Sequence, residues 1–154
     1  MNSFDNHQEA NLKACIDMVE SVLSGMGHDP IASRQAMETG PAWGLKAGSA
    51  AVFIYVTPSP QEPGVNTIQI VSAVMRPPED SKALYAHLLD LNASQLTGAA
   101  FGVRDGAVVV STDRSTKGLD AVEIEDMVRR VSEYADYFDD ILTVEYGGTR
   151  YSDG

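Results

Sequence analysis

The sequence predicts an α+β protein with an antiparallel sheet of about five strands and three helices, in the order α-β-β(-β)-α-β-β-α. Apolar residues recur every three or four positions in three segments, and they alternate or run continuously in several shorter ones. Turn residues separate neighbouring strands closely enough for hairpins, which is typical of an α+β fold and not of a doubly wound one. The 154 residues contain no internal repeat and no second core, so we expect one domain over residues 1–154, with its core at about 8–146.

The first helix is predicted from an apolar stripe that ends near Gly25 and Gly27. The stripe consists of Leu12, Cys15, Ile16, Val19, Val22, Leu23 and Met26. Because Cys15 lies within it, we predict a buried, inert thiol in place of a nucleophile. Residues 28–47 predict a loop, with a short strand around Trp43 as the alternative. We expect Trp43 to lie in a loop packed against the sheet, as a core plug or as a contact residue.

Two strands are predicted on either side of the proline-rich residues 58–64. Residues 50–57 form a β-branched and aromatic run, which predicts a central strand with both faces covered. Residues 67–75 predict its antiparallel partner across a long loop. In the first strand Phe53 and Tyr55 point away from the other apolar side chains. This surplus face predicts either burial under a neighbouring helix or a surface for self-association or peptide binding.

The middle helix is predicted after a pair of prolines, with the carboxylates of Glu79 and Asp80 at its N-terminus. Its apolar positions are Leu84, Tyr85, Leu88, Leu89 and Leu91. Tyr85 and Leu89 widen the stripe beyond a narrow seam, so this helix also has apolar surface for core burial or for a partner.

Local signals predict the last hairpin and the last helix. Asp105 and Gly106 stand between two β-runs, and a type I′ turn requires positive φ at both of its central positions. Asp120 and Glu123 form a capping-box pattern at the start of a helix of roughly 25 residues. Residues 120–146 hold nine acidic and two basic residues, which is −7 of the net charge of −11. A solvated outer face is the default interpretation, and a docking surface for basic segments is the alternative.

Charge and hydropathy exclude several classes of partner. A net charge of −11 repels nucleic-acid phosphates and anionic lipids, and the eleven basic residues are scattered. We therefore expect no nucleic-acid partner and no membrane partner. The N-terminus lacks the pattern of a secretory signal, and no apolar run approaches the length of a membrane span. We expect a cytoplasmic protein.

Catalytic and metal-binding patterns fail when they are tested against the sequence. The three histidines lack metal-ligand spacing, and the segment that begins at Asp113 resembles half a calcium loop but has Lys117 and Ile124 at ligand positions. His87 is predicted as a histidine at a helix edge, and Asp139 with Asp140 as a solvated pair instead of an acid/base dyad. We expect no catalytic residue, no metal and no cofactor, hence a protein that is not an enzyme.

A family resemblance rests on two segments. Leu89-Asp90-Leu91-Asn92-Ala93-Ser94-Gln95-Leu96-Thr97, followed by Ala100-Phe101-Gly102-Val103, resembles the end of the middle helix and the next strand in the YbjN family. Gly118-Leu119-Asp120, with the acidic segment from Tyr134 to Asp140, is similar to the start and body of that family's last helix. The element order resembles the type III secretion chaperone-like fold, and the resemblance covers about residues 8–146.

The resemblance implies a small, acidic, cytoplasmic homodimer that holds an unfolded segment of a client, with the middle helix in the dimer. YbjN-like proteins are regarded as sensory transduction regulators. The residues that the resemblance and the surplus apolar faces assign to a dimer or partner surface are Leu84, Tyr85, Leu88, Leu89, Phe53 and Tyr55.

The first hypothesis is a non-enzymatic chaperone-like module that binds itself and an unidentified protein or peptide, by strand addition or in an apolar groove. The alternative is a signalling regulator that acts through one protein partner. An enzyme with an unrecognised site is the third interpretation.

Overall fold

The computed structural model describes residues 3–153. Met1, Asn2 and Gly154 lie outside the described residues. The first two belong to the N-terminal segment in which no secretory signal was predicted. The elements are α1 (Ser3–Gly25), β1 (Arg34–Gln35), β2 (Ala42–Ala47), β3 (Ala50–Pro58), β4 (Asn66–Arg76), α2 (Lys82–Ser94), β5 (Ala100–Arg104), β6 (Ala107–Ser115), α3 (Ala121–Tyr146), β7 (Thr149–Arg150) and a 3₁₀ helix (Tyr151–Asp153). Within the described range, no helix combines the length and hydropathy that crossing a bilayer requires.

The strands form one antiparallel sheet in the order β1-β2-β3-β4-β6-β5, and β7 pairs with β4. The α+β class, the three helices and the antiparallel sheet are confirmed. The described residues form seven strands, more than the predicted five. The five predicted strands correspond to β2–β6 when the short strand around Trp43 is counted, and the two additional strands, β1 and β7, have only two residues each. Such short strands have no period of their own and exist through pairing with β2 and β4.

The residues group into two compact units. The first consists of the chain up to Leu45, Phe53–Ile70 and Asp113–Asp126. The second consists of Lys46–Val52, Val71–Thr112 and the chain from Met127 onward. Strands β2, β3, β4 and β6 and helix α3 contribute residues to both units. A single domain stays a prediction.

In the first unit, α1 buries Cys15, Val19 and Leu23. The helix begins well before the predicted stripe and ends at the predicted Gly25. At the end of the helix, the His28 N–H donates to the Leu23 carbonyl at 2.9 Å. Gly27, which precedes His28, has positive φ. Burial raises the pKa of the Cys15 thiol to about 11, so the predicted buried thiol is confirmed.

The structure selects among the expectations for β2 and corrects the one for β3. Trp43 lies in β2, the short strand that was the alternative to a loop, and at 1% exposed it is a core residue. Val52, Ile54 and Val56 are fully buried, but the alternating residues of β3 are only half-buried. That alternation belongs to a strand that is fully covered on one face only, whereas the sequence run suggested two covered faces.

In the second unit, α2 buries Leu84, Leu88 and Leu91, and α3 buries one long stripe. The α3 stripe in this unit is Met127, Val128, Val131, Ala135, Phe138 and Leu142. Glu79 and Asp80 directly precede the N-cap of α2, and the first turn of the helix itself contains no acidic residue. Ser81 is the N-cap but makes no side-chain capping bond.

The local signals of the last hairpin and of the start of α3 are confirmed, except for one half of the capping box. Asp105 and Gly106 have φ of 52° and 78° between the paired Arg104 and Ala107, as a type I′ turn requires. The Glu123 N–H donates to Asp120 Oδ1 at 2.8 Å, and α3 runs for 26 residues. The Glu123 carboxylate pairs with Arg114 instead of closing the capping box.

Candidate functional site

An apolar groove of about 150 Å³ lies between α2 and the edge strand β5. Tyr85, Leu88, Leu89 and Asn92 line it from α2, and Phe101, Gly102 and Val103 line it from β5. No lining residue is charged, although the chain has a net charge of −11. The groove therefore offers a surface for contact through apolar packing.

At the centre of this groove, the side chain of Asn92 forms hydrogen bonds with the backbone of Phe101 in β5. Its Oδ1 accepts the Phe101 N–H at 2.7 Å, and its Nδ2 donates to the Phe101 carbonyl at 3.1 Å. In the β5–β6 register Phe101 faces Val110, three pairs from the two-residue turn, so its polar groups point away from β6. The amide of Asn92 thus makes the two bonds that a neighbouring strand would make.

The predicted α2 residues take three different positions. Leu84 is 1% exposed and belongs to the core, while Leu88, 4% exposed, forms the groove floor. Only Tyr85, which is half-buried, and Leu89, which is 69% exposed, offer side-chain surface. The partner surface on α2 stays a prediction. It would consist of Tyr85 and Leu89 together with Leu88 at the floor of the groove.

Sequence reasoning missed the β5 side of the groove and the role of Asn92. Asn92 was placed only at the end of the middle helix, and Phe101 and Val103 only in the strand that follows it, with no contact predicted between them. Gly102 leaves the groove open, because a Cβ there would have only Val109 within 4 Å, at 3.9 Å. No local pattern brings a helix and a later strand together, so periodicity alone could not have found this pairing.

A second groove, of about 230 Å³, lies in the first unit beside the opposite edge strand, β1. Its lining residues are Ile16, Arg34, Gln35, Pro41, Ala42 and Trp43. β1 pairs only with Ala42 and Trp43 of β2, extended by the bond from the Gly44 N–H to the Ser33 carbonyl at 2.8 Å. The groove therefore lies next to a very short edge strand.

The wall of this second groove is fixed by Glu20. The guanidinium of Arg34 donates from Nε and Nη2 to both oxygens of Glu20, at 2.8 and 2.6 Å. Trp43 Nε1 donates to the same carboxylate at 3.0 Å. These donors, Arg34 first, hold the pKa of Glu20 below its usual 4.5. Arg34 is therefore bonded to α1 at the wall of the groove.

Phe53 and Tyr55 lie together on the half-buried face of β3 in the first unit. Their rings stack with centroids 6.3 Å apart and planes at 21°. A Cβ on Gly44 would come within 3.0 Å of the Phe53 ring and 3.1 Å of the Gln35 amide, so the glycine makes room for both. The predicted aromatic face is thus next to Gln35, which lines the second groove.

The acidic last helix is only partly a solvated face. The Ser49 hydroxyl lies 2.5 Å from Asp136 Oδ1 and 2.8 Å from Asp139 Oδ2, and the Ser49 N–H donates to Asp136 at 3.0 Å. The bonds from Ser49 lower the pKa of Asp136. Asp139 is only 5% exposed, so the prediction of a solvated pair was wrong for Asp139 and is confirmed for Asp140. Sequence could not place the turn that carries Ser49 over this helix.

The remaining polar residues do not converge on a metal site. Between residues 3 and 153, no three or more His, Cys, Asp or Glu side chains are grouped so that they could hold an ion. His87 lies half-buried on α2, as predicted for a helix edge, with Nδ1 2.7 Å from the Tyr146 hydroxyl.

Known structures resemble this fold. A chain in the crystal structure of the ExsC–ExsE complex superposes with a TM-score of 0.63 at 11% identity, over 84% of this chain and 94% of that one. A chain in the HopA1–SchA chaperone–effector complex superposes with a TM-score of 0.59 at 11% identity, over 86% of this chain and 98% of that one. A search among curated proteins found no match.

A family model described as T3SS (YopN, CesT) and YbjN peptide-binding chaperone 1 matches residues 13–154. The match covers nearly the whole chain and agrees with the fold and with the resemblance drawn from the sequence. The chain belongs to this family of T3SS and YbjN peptide-binding chaperones.

Proposed function

We propose that this protein is a non-enzymatic, cytoplasmic homodimer that binds an extended segment of a client protein. The observation that carries the proposal is the contrast between the two sheet edges. β5 has its central backbone groups occupied by Asn92, whereas β1 covers only a short part of β2 beside a groove. The β5 edge is therefore suited to packing of side chains, and the β1 edge is suited to the addition of a strand.

The dimer half of the proposal rests on the α2/β5 groove. Leu89 projects beside a hollow that Gly102 leaves open, so a knob and a hole lie next to each other on one face. A two-fold axis would place the Leu89 of each copy in the hollow of the other. The uncharged lining lets two acidic chains meet there without opposing carboxylates.

The client half rests on the groove of the first unit. An extended peptide that pairs along β1 would place one apolar side chain against Ile16 and Pro41, and the rings of Phe53 and Tyr55 would add apolar surface near Gln35. The family described as peptide-binding chaperones and the chaperone–effector complex among the similar structures support a protein client.

The test uses one variant in each groove. Ile16→Ser should weaken the binding of fluorescein-labelled peptides of alternating apolar and polar residues while the molar mass by light scattering stays that of a dimer. Leu89→Ser should lower the molar mass to that of a monomer while peptide binding persists. Far-ultraviolet circular dichroism checks that both variants fold. A wild-type monomer would contradict the dimer, and peptide binding unchanged by Ile16→Ser would contradict the client site.

A further inference from the structure

Three apolar side chains of α3 lie exposed on one face of the helix. Tyr137, Ile141 and Val144 are 63%, 40% and 86% exposed. Their spacing of four and three residues places them in one row about 10 Å long. Single exposed apolar residues are common on protein surfaces, but here three of them lie in one row.

This row, which we call the α3 outer stripe, is separate from the packing face of the helix. In the same segment α3 buries Ala135, Phe138, Asp139 and Leu142, which lie on a different face of the helical wheel. None of the three outer residues lines either groove. The stripe is therefore not explained by the fold or by the proposed dimer and client sites.

Acidic side chains border the stripe. Glu133 and Asp140 are helical neighbours of Tyr137, and Glu145 is a helical neighbour of Ile141. The sequence has no Lys or Arg between residues 131 and 148. Arg150 pairs with Asp140 at 3.1 Å and offsets its charge, and the Ser49 hydroxyl lies against the carboxylates of both Asp136 and Asp139. The segment that carries the stripe therefore has a negative net charge, part of which Arg150 offsets.

We propose that the α3 outer stripe binds a basic amphipathic helix of another protein, with apolar residues at i, i+3 or i+4, and i+7, and Lys or Arg beside them. A helix fits because the backbone groups of α3 are bonded within α3, so an extended peptide would find no strand edge there. Ridge-into-groove packing joins two such rows. A second copy of this chain does not fit, because its stripe would bring the same carboxylates against these.

The probe is a labelled synthetic helical peptide of leucine and lysine, with its leucines in one row. Fluorescence anisotropy should detect binding to the wild-type protein that weakens with added salt. The double variant Ile141→Gln with Val144→Gln should weaken binding about tenfold or more, because it removes the apolar part of the contact. Glutamine keeps the helix propensity, and Tyr137 is left unchanged because its ring packs on Phe138 at 4.9 Å.

The matched control is Val122→Gln, which alters a valine that is 64% exposed near the start of the same helix. It should bind the probe as the wild type does. Equal binding by the double variant, or equal binding of a peptide isomer whose leucines are scattered, would overturn the proposal. A fall in molar mass of the double variant would show a second copy at the stripe and would overturn it too. Ile16→Ser and Leu89→Ser should leave probe binding unchanged, which separates this surface from the proposed function.

Discussion

The indole Nε1 of Trp43 donates a hydrogen bond of 3.0 Å to Oε2 of Glu20, which joins β2 to α1 through a nearly buried ring. The same carboxylate accepts two bonds from Arg34 of the edge strand β1. One acid therefore holds together the helix and the two strands that form the groove of the first unit.

Glu20→Gln should lower the free energy of unfolding by about 1 kcal/mol at neutral pH, because it removes the charge from these hydrogen bonds. The folded-state pKa of Glu20 is lowered, so its contribution is complete above the ordinary value of 4.5 and is lost as the pH falls through the folded pKa. Urea unfolding of both proteins should therefore show a difference at neutral pH that shrinks in acid below pH 4.5. A difference that stays constant into acid would contradict this account.

Asn92→Leu should open the edge of β5. The Phe101 N–H and carbonyl would lose both partners, which should cost about 1–2 kcal/mol and expose a strand edge to other chains. Light scattering should detect species larger than those of the wild type. The control is Ser94→Ala, whose hydroxyl bonds only within α2, to the Asp90 carbonyl at 2.7 Å. Unaltered assembly of Asn92→Leu would mean that the amide does not guard the edge.

Gly106→Ala should destabilise the protein by about 1 kcal/mol, because its φ of 78° suits glycine and strains alanine. No atom of a more distant residue lies within 4 Å of the added Cβ. The cost therefore comes from the backbone conformation and not from a clash with the surrounding structure. Gly25→Ala is the matched control, since it also meets nothing within 4 Å and its φ is not in the positive region. Chemical unfolding should distinguish them, and equal effects would argue against the type I′ turn.

The Cys15 thiol should react slowly with Ellman's reagent in the native protein. Its side chain is buried, and a pKa of about 11 leaves roughly one thiolate per thousand at pH 8. Denaturant should release the full reaction of one thiol per chain, because the sequence has one cysteine. Cys15→Ser provides the blank. Native reaction as fast as that of the denatured chain would mean that the helix does not protect the thiol.

Contacts within a few residues were predictable from the sequence. The Asp105–Gly106 turn, the Asp120 cap of α3 and the burial of Cys15 in the α1 stripe depend on backbone conformation or on one helical period. The α+β class followed from the order of those elements. The candidate site was predictable only in part: Tyr85 and Leu89 are exposed or half-buried on α2, but Leu84 lies in the core.

The sequence by itself determined the helices, the main strands and their turns, because each is encoded by neighbours along the chain. Only the tertiary structure decided that Asn92 bonds the backbone of β5, that Ser49 contacts the buried Asp139 and that Glu20 accepts a bond from Trp43. A polar side chain carries no periodic signal that names its partner. Its role is fixed when packing of the apolar faces brings distant segments within hydrogen-bond distance, and that same packing leaves the α3 outer stripe uncovered.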